Sequence, residues 1–126
     1  MNCKIEKSTL NGQIICPSNK SYTHRAIFLA ALSDGKSIVK KILRSNDTIA
    51  TINACRGFGV EVEELENNVT INNTINQSVQ SSIINAENSG TTIRIAIAIA
   101  ALSGGNTTLT GDESLRKRPM QPILDA

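Results

Sequence analysis

Aromatic residues are scarce in this sequence: they make up 2% of its 126 positions, with one Tyr, two Phe and no Trp. Proteins that bind single-stranded nucleic acids usually stack bases on such side chains, and a net charge of +2 is too small to hold many phosphates. A core without aromatics must be built from Ile, Leu, Val and Ala. The composition therefore predicts a globular protein that binds no nucleic acid.

Cysteine and histidine are also few, with three Cys and one His. Cys3, Cys16 and Cys55 form no Cys-x-x-Cys pair, so no metal site is expected, and reduced thiols are typical of a cytoplasmic protein. The longest apolar run, residues 95–102, is far shorter than the roughly 20 residues that a membrane span needs. The charged amino terminus has no signal-peptide core. We expect a cytoplasmic protein without metal, cofactor or membrane partner.

A segment of the chain recurs seventy positions later. AALSDGKSIV, at residues 30–39, matches AALSGGNTTL at residues 100–109, and the match continues upstream, where Ile27 faces Ile97. A repeat at fixed spacing indicates a supersecondary unit that buries its core together with its copies. Because the chain ends inside an apolar helical pattern, we expect a piece of a longer protein with about one and a half to two units.

The first unit, residues 13–72, is predicted to run βαβαββ. It has a strand over 13–16, a helix to residue 33, a strand within 36–43, a helix over 48–58, and a hairpin formed by VEVEEL and NVTIN. The second unit, from residue 79, repeats a strand (81–85), a helix (89–102) and a strand (TTLTG), and Pro119 or Pro122 opens a further helix. The helices AIFLAAL and IRIAIAIAAL are apolar nearly all round, so we expect them to be buried beneath sheets. The fold class is α+β, a mixed α/β architecture.

Basic residues gather where the predicted helices begin. Lys20 and Arg25 lie at the first helix, Arg94 at the helix of the second unit, and Arg118 before the last helix. The amino end of a helix carries a positive partial charge, which disfavours a cation there by roughly 0.3–1 kcal/mol. Exposed N–H groups at such ends, together with cations, hydroxyls and a glycine such as Gly90, are what an anion needs. The pattern therefore indicates a site for a multiply anionic ligand.

Each of these residues also has a structural interpretation, which the sequence leaves open. In these interpretations Lys20 is solvated, Arg25 extends its head group from an apolar helix into water, and Arg94 forms an ion pair with Asp47 or Glu87. Asn88 caps a helix, and Gly90 only allows the chain to turn. His24 has no evident carboxylate or nucleophile beside it. No general base is therefore assigned.

Three motifs, PSNKSYTHRAIFLAAL, NSGTTIR and GDESLRKRPMQPILDA, resemble in order and spacing the amino-terminal third of the 5-enolpyruvylshikimate-3-phosphate synthases. That family transfers the enolpyruvyl group of phosphoenolpyruvate to the 5-hydroxyl of shikimate 3-phosphate and releases phosphate, in the shikimate pathway to chorismate and aromatic amino acids. Its glyphosate site overlaps the phosphoenolpyruvate site. The resemblance implies the enolpyruvyl transferase fold, with residues 1–12 as a strand of the other domain and residues 13–126 as an incomplete substrate-binding domain.

The resemblance also implies roles for particular residues. It assigns Lys20, Ser21 and Arg25 to shikimate 3-phosphate, and Lys20, Gly90 and Arg118 to phosphoenolpyruvate, with Asn88, Thr91 and Arg94 in support. It places no catalytic acid or base in this chain and implies no cofactor or metal. The partner that it implies is the remainder of the enzyme, so the chain alone is expected to be inactive.

Other function classes remain open at this point. One is a non-catalytic module that binds a phosphorylated metabolite without turnover. Another is an enzyme like UDP-N-acetylglucosamine enolpyruvyl transferase, although that family usually has asparagine where Ser21 follows the lysine. An enzyme of the RNA 3′-phosphate cyclase type is disfavoured by the mild charge and the few aromatics.

Overall fold

The computed structural model describes residues 3–73 and 82–126. The helices are α1 (Lys20–Leu32), α2 (Asn46–Gly57), α3 (Gly90–Leu102), α4 (Glu113–Arg116) and α5 (Gln121–Leu124). The strands are β1 (Gly35–Val39), β2 (Glu61–Leu65), β3 (Asn68–Asn73), β4 (Ser82–Asn85) and β5 (Thr107–Thr110). Strands β1, β3 and β2 form an antiparallel sheet in that order, and β4 pairs with β5 in parallel. The predicted mixed fold class is confirmed.

The predicted repeat appears in the helices. Each boundary of α3 lies seventy positions after the corresponding boundary of α1, and both helices have 13 residues. Each is capped by the preceding side chain, from Asn19 in α1 and Ser89 in α3. The two sequence copies therefore fold into equivalent helices.

The core lies between the helices and the sheets. Helix α1 contributes Ile27, α2 contributes Ile52 and β3 contributes Ile71, all with no exposed surface. Helices α1, α2 and α3 contact one another, while α1 packs on β1 and β3, α2 on β2 and β4, and α3 on β5. The alternation of β3, with Val69 and Ile71 inward, follows from the two-residue period of a strand. This packing sets the three helices side by side.

The strand predicted over residues 13–16 is wrong. Residues 3–19 form no helix or strand, although Asn19 caps α1, and Ile14 and Ile15 are exposed. A four-residue strand forms only when a neighbouring strand bonds its backbone, and no described strand pairs with residues 13–16. The assignment of residues 1–12 to another domain stays a prediction.

The apolar helices are less buried than their sequences predict. Helix α3 buries Ile93 and Ala96 but leaves Leu102 84% exposed, and α1 leaves Leu29 66% exposed. No described element covers these two side chains, so only part of each helix is buried.

The remaining boundaries agree with the prediction to within a few residues. The hairpin forms as β2 and β3, and Pro122 lies in the first turn of α5. The short helix α4 was not predicted. The predicted start of the second unit and of its strand, residues 79 and 81, lies outside the described residues. Among the helices in the described ranges, none combines the length and apolar character that crossing a membrane requires.

Candidate functional site

The amino ends of α1, α2 and α3 meet at one edge of the molecule. Lys20, the first residue of α1, places its Nζ 2.7 Å from Oδ2 of Asp47 in the first turn of α2. The hydroxyl of Thr92, in the first turn of α3, donates to the backbone carbonyl of Asp47 at 3.3 Å. The amino ends of the three helices therefore converge, with Asp47 in contact with both α1 and α3.

Lys20 is held by an ion pair and is not simply solvated. The first turn of α1 contains no acidic residue, so the ammonium lies at an end where the helix dipole disfavours it. Asp47 supplies the compensating charge, while the lysine side chain stays 51% exposed. The ammonium is therefore both fixed in position and accessible to a ligand.

Ser21 and Arg25 lie on the exposed side of α1. Nε of Arg25 donates to the Ser21 carbonyl at 3.3 Å, and the guanidinium carbon lies 4.8 Å from the centre of the Tyr22 ring. A cation over an aromatic face is attracted to the ring but keeps its charge. Within the described residues Arg25 has no carboxylate partner, so its charge is available to an anion.

Gly90 begins α3 beneath two guanidinium groups. A Cβ at this position would lie 2.7 Å from Nη1 of Arg94 and 2.9 Å from Nη1 of Arg118. Nη1 of Arg94 also donates to the Gly90 carbonyl at 3.1 Å. The absence of a side chain is therefore what lets both arginines approach the first turn of α3.

The two arginines form no ion pair with a carboxylate in the ranges that the structure describes. The proposed pairing of Arg94 with Asp47 or Glu87 is therefore wrong. Two cations beside a helix amino end repel each other and the helix dipole, and a bound anion would relieve both effects. This arrangement suits a phosphate or carboxylate ligand.

Asn88 is not the helix cap that one interpretation made it. Ser89 caps α3 by accepting from the N–H of Thr92 at 3.2 Å. Asn88 instead links Arg118 to Asp112: its Oδ1 accepts from Nη2 of Arg118, and its Nδ2 donates to Oδ2 of Asp112 at 2.6 Å. The amide thus joins the arginine to the start of α4.

Asp112 is the cap of α4. Its Oδ1 accepts from the backbone N–H of Leu115 at 2.7 Å. That N–H, the amide of Asn88 and the charge of Arg118 hold the pKa of Asp112 below its ordinary value. The carboxylate is therefore ionised near neutral pH, and each of its two oxygens accepts a hydrogen bond.

A buried chain of polar side chains runs beneath the site. Nδ1 of His24 lies 2.6 Å from the hydroxyl of Thr51, which lies 2.7 Å from the hydroxyl of Thr92, which lies 2.7 Å from that of Ser89. All four residues are buried. Burial lowers the pKa of His24, with the nearby charge of Lys20 acting in the same direction and Asp47 opposing it. This chain connects α1, α2 and α3 just behind their amino ends.

The predicted site residues form two groups. The first group, on α1, is Lys20, Ser21 and Arg25; the second, around α3, is Asn88, Gly90, Arg94 and Arg118, and Thr91 is exposed beside it. Asp47 joins the groups through Lys20 and Thr92. In the described ranges no three His, Cys, Asp or Glu side chains are grouped as metal ligands would be.

Sequence reasoning missed the residues that hold the site together. Asp47 and Lys20 are 27 positions apart, and Asp112 and Asn88 are 24 apart. The only available signals were that Asp47 directly precedes the helix predicted over 48–58 and that Asp112 precedes ESLR. Neither signal identifies a partner.

Comparison with known proteins identifies a family that this chain matches. The family model for EPSP synthase (3-phosphoshikimate 1-carboxyvinyltransferase) matches residues 5–126. The 3-phosphoshikimate 1-carboxyvinyltransferase of Nitrosopumilus maritimus (strain SCM1) is 57% identical over 126 residues, which are 100% of this chain and 30% of that relative. That of Methanosarcina acetivorans is 50% identical over 125 residues, which are 98% of this chain and 29% of the relative.

A solved structure is similar as well. The chain of an EPSP synthase from Acinetobacter baumannii superposes with a TM-score of 0.77 at 31% identity, over 90% of this chain and 27% of that one. The chain thus spans about 30% of the length of the curated relatives that it matches. Because the family match extends over residues 5–126, the chain belongs to the EPSP synthase family.

Proposed function

We propose that this chain forms the face of a 3-phosphoshikimate 1-carboxyvinyltransferase that holds both anionic substrates. The enzyme transfers the enolpyruvyl group of phosphoenolpyruvate to the 5-hydroxyl of shikimate 3-phosphate and releases phosphate. The observation that carries the proposal is the pair of guanidinium groups of Arg94 and Arg118 over Gly90, with Lys20 on the neighbouring helix.

The two substrates are assigned to different groups of residues. Shikimate 3-phosphate lies along α1, where Ser21 offers a hydroxyl and Arg25 a guanidinium that forms no ion pair within the described residues. Phosphoenolpyruvate lies at the start of α3, against Gly90 and Arg118. Lys20, between the two, contacts both. The names of the curated relatives support shikimate 3-phosphate as the acceptor.

The role of these residues is to bind and stabilise charge. Addition of the hydroxyl to the enol ether passes through a tetrahedral adduct, so the reaction needs fixed charges and a proton donor and acceptor. Lys20 and Arg118 supply fixed charge. The carboxylates beside them are engaged, because Asp47 pairs with Lys20 and Asp112 caps α4. We therefore assign no proton transfer to these residues.

The proposal is tested in a chimera in which residues 1–126 replace the matching segment of the N. maritimus relative, with phosphate release as the readout. A charge-assisted bond contributes roughly 1.5–3 kcal/mol, so Arg25→Ala should raise the KM for shikimate 3-phosphate about tenfold to a hundredfold. The KM for phosphoenolpyruvate should change less. Arg118→Ala should instead raise the KM for phosphoenolpyruvate more than the KM for shikimate 3-phosphate.

Arg116→Ala is the matched control, because Arg116 is exposed at the end of α4 and outside both groups. Equal effects of Arg25→Ala on both substrates, or no effect, would contradict the assignment. A chimera that uses UDP-N-acetylglucosamine in place of shikimate 3-phosphate would favour the sister activity. Binding of both ligands by a chimera without phosphate release would favour a non-catalytic anion-binding module.

A further inference from the structure

Arg118 is connected to the amino end of α4 through one amide. Asn88 accepts from Arg118 with its Oδ1 and donates with its Nδ2 to Asp112 at 2.6 Å. The other carboxylate oxygen of Asp112 accepts from the N–H of Leu115 at 2.7 Å. An arginine of the site is therefore joined to the backbone of α4 by two side chains.

The orientation of the Asn88 amide follows from its neighbours. An ionised carboxylate only accepts hydrogen bonds, so the NH₂ group of Asn88 must face Asp112. Its carbonyl oxygen then faces Arg118, which only donates. Asp112 thus fixes the orientation of the Asn88 amide, so that Arg118 faces the amide oxygen and not the NH₂ group.

Asp112 is itself firmly held. Its backbone N–H donates to the carbonyl of Glu87 at 2.8 Å, which ties it to the residue before Asn88. Leu115, whose N–H it caps, is 1% exposed and packs with Ala86 and Ile93. The carboxylate is therefore bonded to a turn whose Leu115 side chain is packed in a small apolar cluster shared by α3 and α4.

We infer that Asp112 is a positioning residue that acts through Asn88 to hold the Arg118 guanidinium over Gly90 without neutralising it. A neutral amide gives the guanidinium a fixed hydrogen bond and leaves its positive charge for the ligand, whereas a carboxylate at position 88 would pair with it. The inference rests on the proposed function, in which Arg118 binds phosphoenolpyruvate.

The first variant is Asp112→Asn in the chimera. The new amide oxygen still accepts from Leu115, since asparagine is a good helix cap. Its NH₂ group, however, faces the NH₂ group of Asn88. When the Asn88 amide turns over to avoid this, Arg118 loses its acceptor. The KM for phosphoenolpyruvate should rise about tenfold, as expected for one charge-assisted bond, and the KM for shikimate 3-phosphate should change little.

The second variant exchanges the two side chains, as Asn88→Asp with Asp112→Asn. All three hydrogen bonds can form again, because the amide now caps α4 and donates to the carboxylate at position 88. The thermal midpoint should therefore return toward that of the unsubstituted chimera. The KM for phosphoenolpyruvate should stay raised, because the carboxylate pairs with Arg118. A purely structural role would restore both quantities together.

Glu113→Gln is the matched control, because it removes a carboxylate from the same turn, where Glu113 is exposed and pairs only with Lys117 in the described residues. Arg118→Ala is measured in parallel. If it leaves the KM for phosphoenolpyruvate unchanged, the proposed function fails. If it raises that KM while Asp112→Asn does not, or if the exchange restores it, the inference alone is overturned.

Discussion

Gly90 is the residue whose size matters most to the site. A methyl group there would come within 3 Å of the guanidinium nitrogens of both Arg94 and Arg118. Both groups are the ends of flexible side chains, and alanine is a better helix former than glycine, so Gly90→Ala should not lower the thermal midpoint. It should displace the arginines and raise the KM of the chimera for phosphoenolpyruvate about tenfold or more.

Gly104 offers a control for this prediction. A Cβ there meets no atom within 4 Å, so Gly104→Ala should leave both KM values unchanged. If Gly90→Ala behaved like Gly104→Ala in steady-state kinetics, the arginines would not be part of the phosphoenolpyruvate site.

His24 should make stability depend on pH in a range where no other side chain of ordinary pKa titrates. Burial holds its folded-state pKa below the ordinary 6.5, so the unfolded chain binds the proton more readily. The contribution of His24 to the free energy of unfolding is therefore fully present above about pH 6.5. It should be lost as the pH decreases from there toward the lowered pKa of the folded state. The measurement is the free energy of unfolding in urea between about pH 5 and 8.

The comparison for this measurement is His24→Gln. The sequence contains a single histidine, so the variant should show a much flatter profile over the same range. Equal slopes in the two proteins would show that His24 titrates normally and that its burial beside Thr51, Asp47 and Lys20 is wrong.

Single residues also mark the limit of what the sequence could predict. Lys20, Arg25, Gly90 and Arg118 are recognisable because helix starts, a repeat and family motifs identify them. The partner of Lys20 is not, because an ion pair across 27 positions depends on how two helices pack. The helix-cap interpretation of Asn88 is wrong for the same reason: Ser89 caps α3, and the Asn88 amide bonds Asp112 at the start of α4.

Helices α1, α2 and α3 are joined by hydrogen bonds as well as by apolar contacts. Thr51, in the middle helix, bonds His24 of α1 and Thr92 of α3 at 2.6 and 2.7 Å. Thr51→Val keeps the shape but leaves the buried Nδ1 of His24 without its partner and removes one of the hydrogen bonds of Thr92. The loss should lower the free energy of unfolding by about 1–3 kcal/mol. Urea denaturation of the 126-residue chain measures this.

Thr108→Val is a suitable control, since Thr108 is exposed on β5. It should change the free energy of unfolding by less than about 0.5 kcal/mol. If the two valine variants were equally stable, the polar chain would not be holding the three helices together.

Elements with strong local signals were the predictable ones. Helix α2 follows from its Ser45 cap, and the hairpin of β2 and β3 from an alternating pattern with a short turn. The strand over residues 13–16 failed because a short strand depends on a neighbour that its own sequence does not specify. Helix α4 was missed because it has only four residues.

The fold brings the two cationic groups together. The α1 residues and the α3 residues are about seventy positions apart, and the packing of α1, α2 and α3 on one another joins the groups. The extent of burial could not be predicted, since Leu29 and Leu102 have the same apolar character as the buried side chains and remain exposed.

The 126-residue chain by itself should release no phosphate from phosphoenolpyruvate and shikimate 3-phosphate. The site carboxylates Asp47 and Asp112 are both engaged, and the reaction needs groups that move protons. The chimera should be active under the same conditions. Turnover by the chain at the rate of the chimera would show that the proton-transfer groups have been misplaced.

The most direct test of the two-group site is an NMR titration of the ¹⁵N-labelled chain with each substrate separately. Shikimate 3-phosphate should shift the amide signals of residues 21–25, phosphoenolpyruvate those of residues 88–94 and 118, and both ligands that of Lys20. Both responses should weaken as salt is added, because the contacts are between charges. Shifts confined to other residues, or residues other than Lys20 responding to both ligands and to inorganic phosphate alike, would contradict the division of the site between α1 and α3.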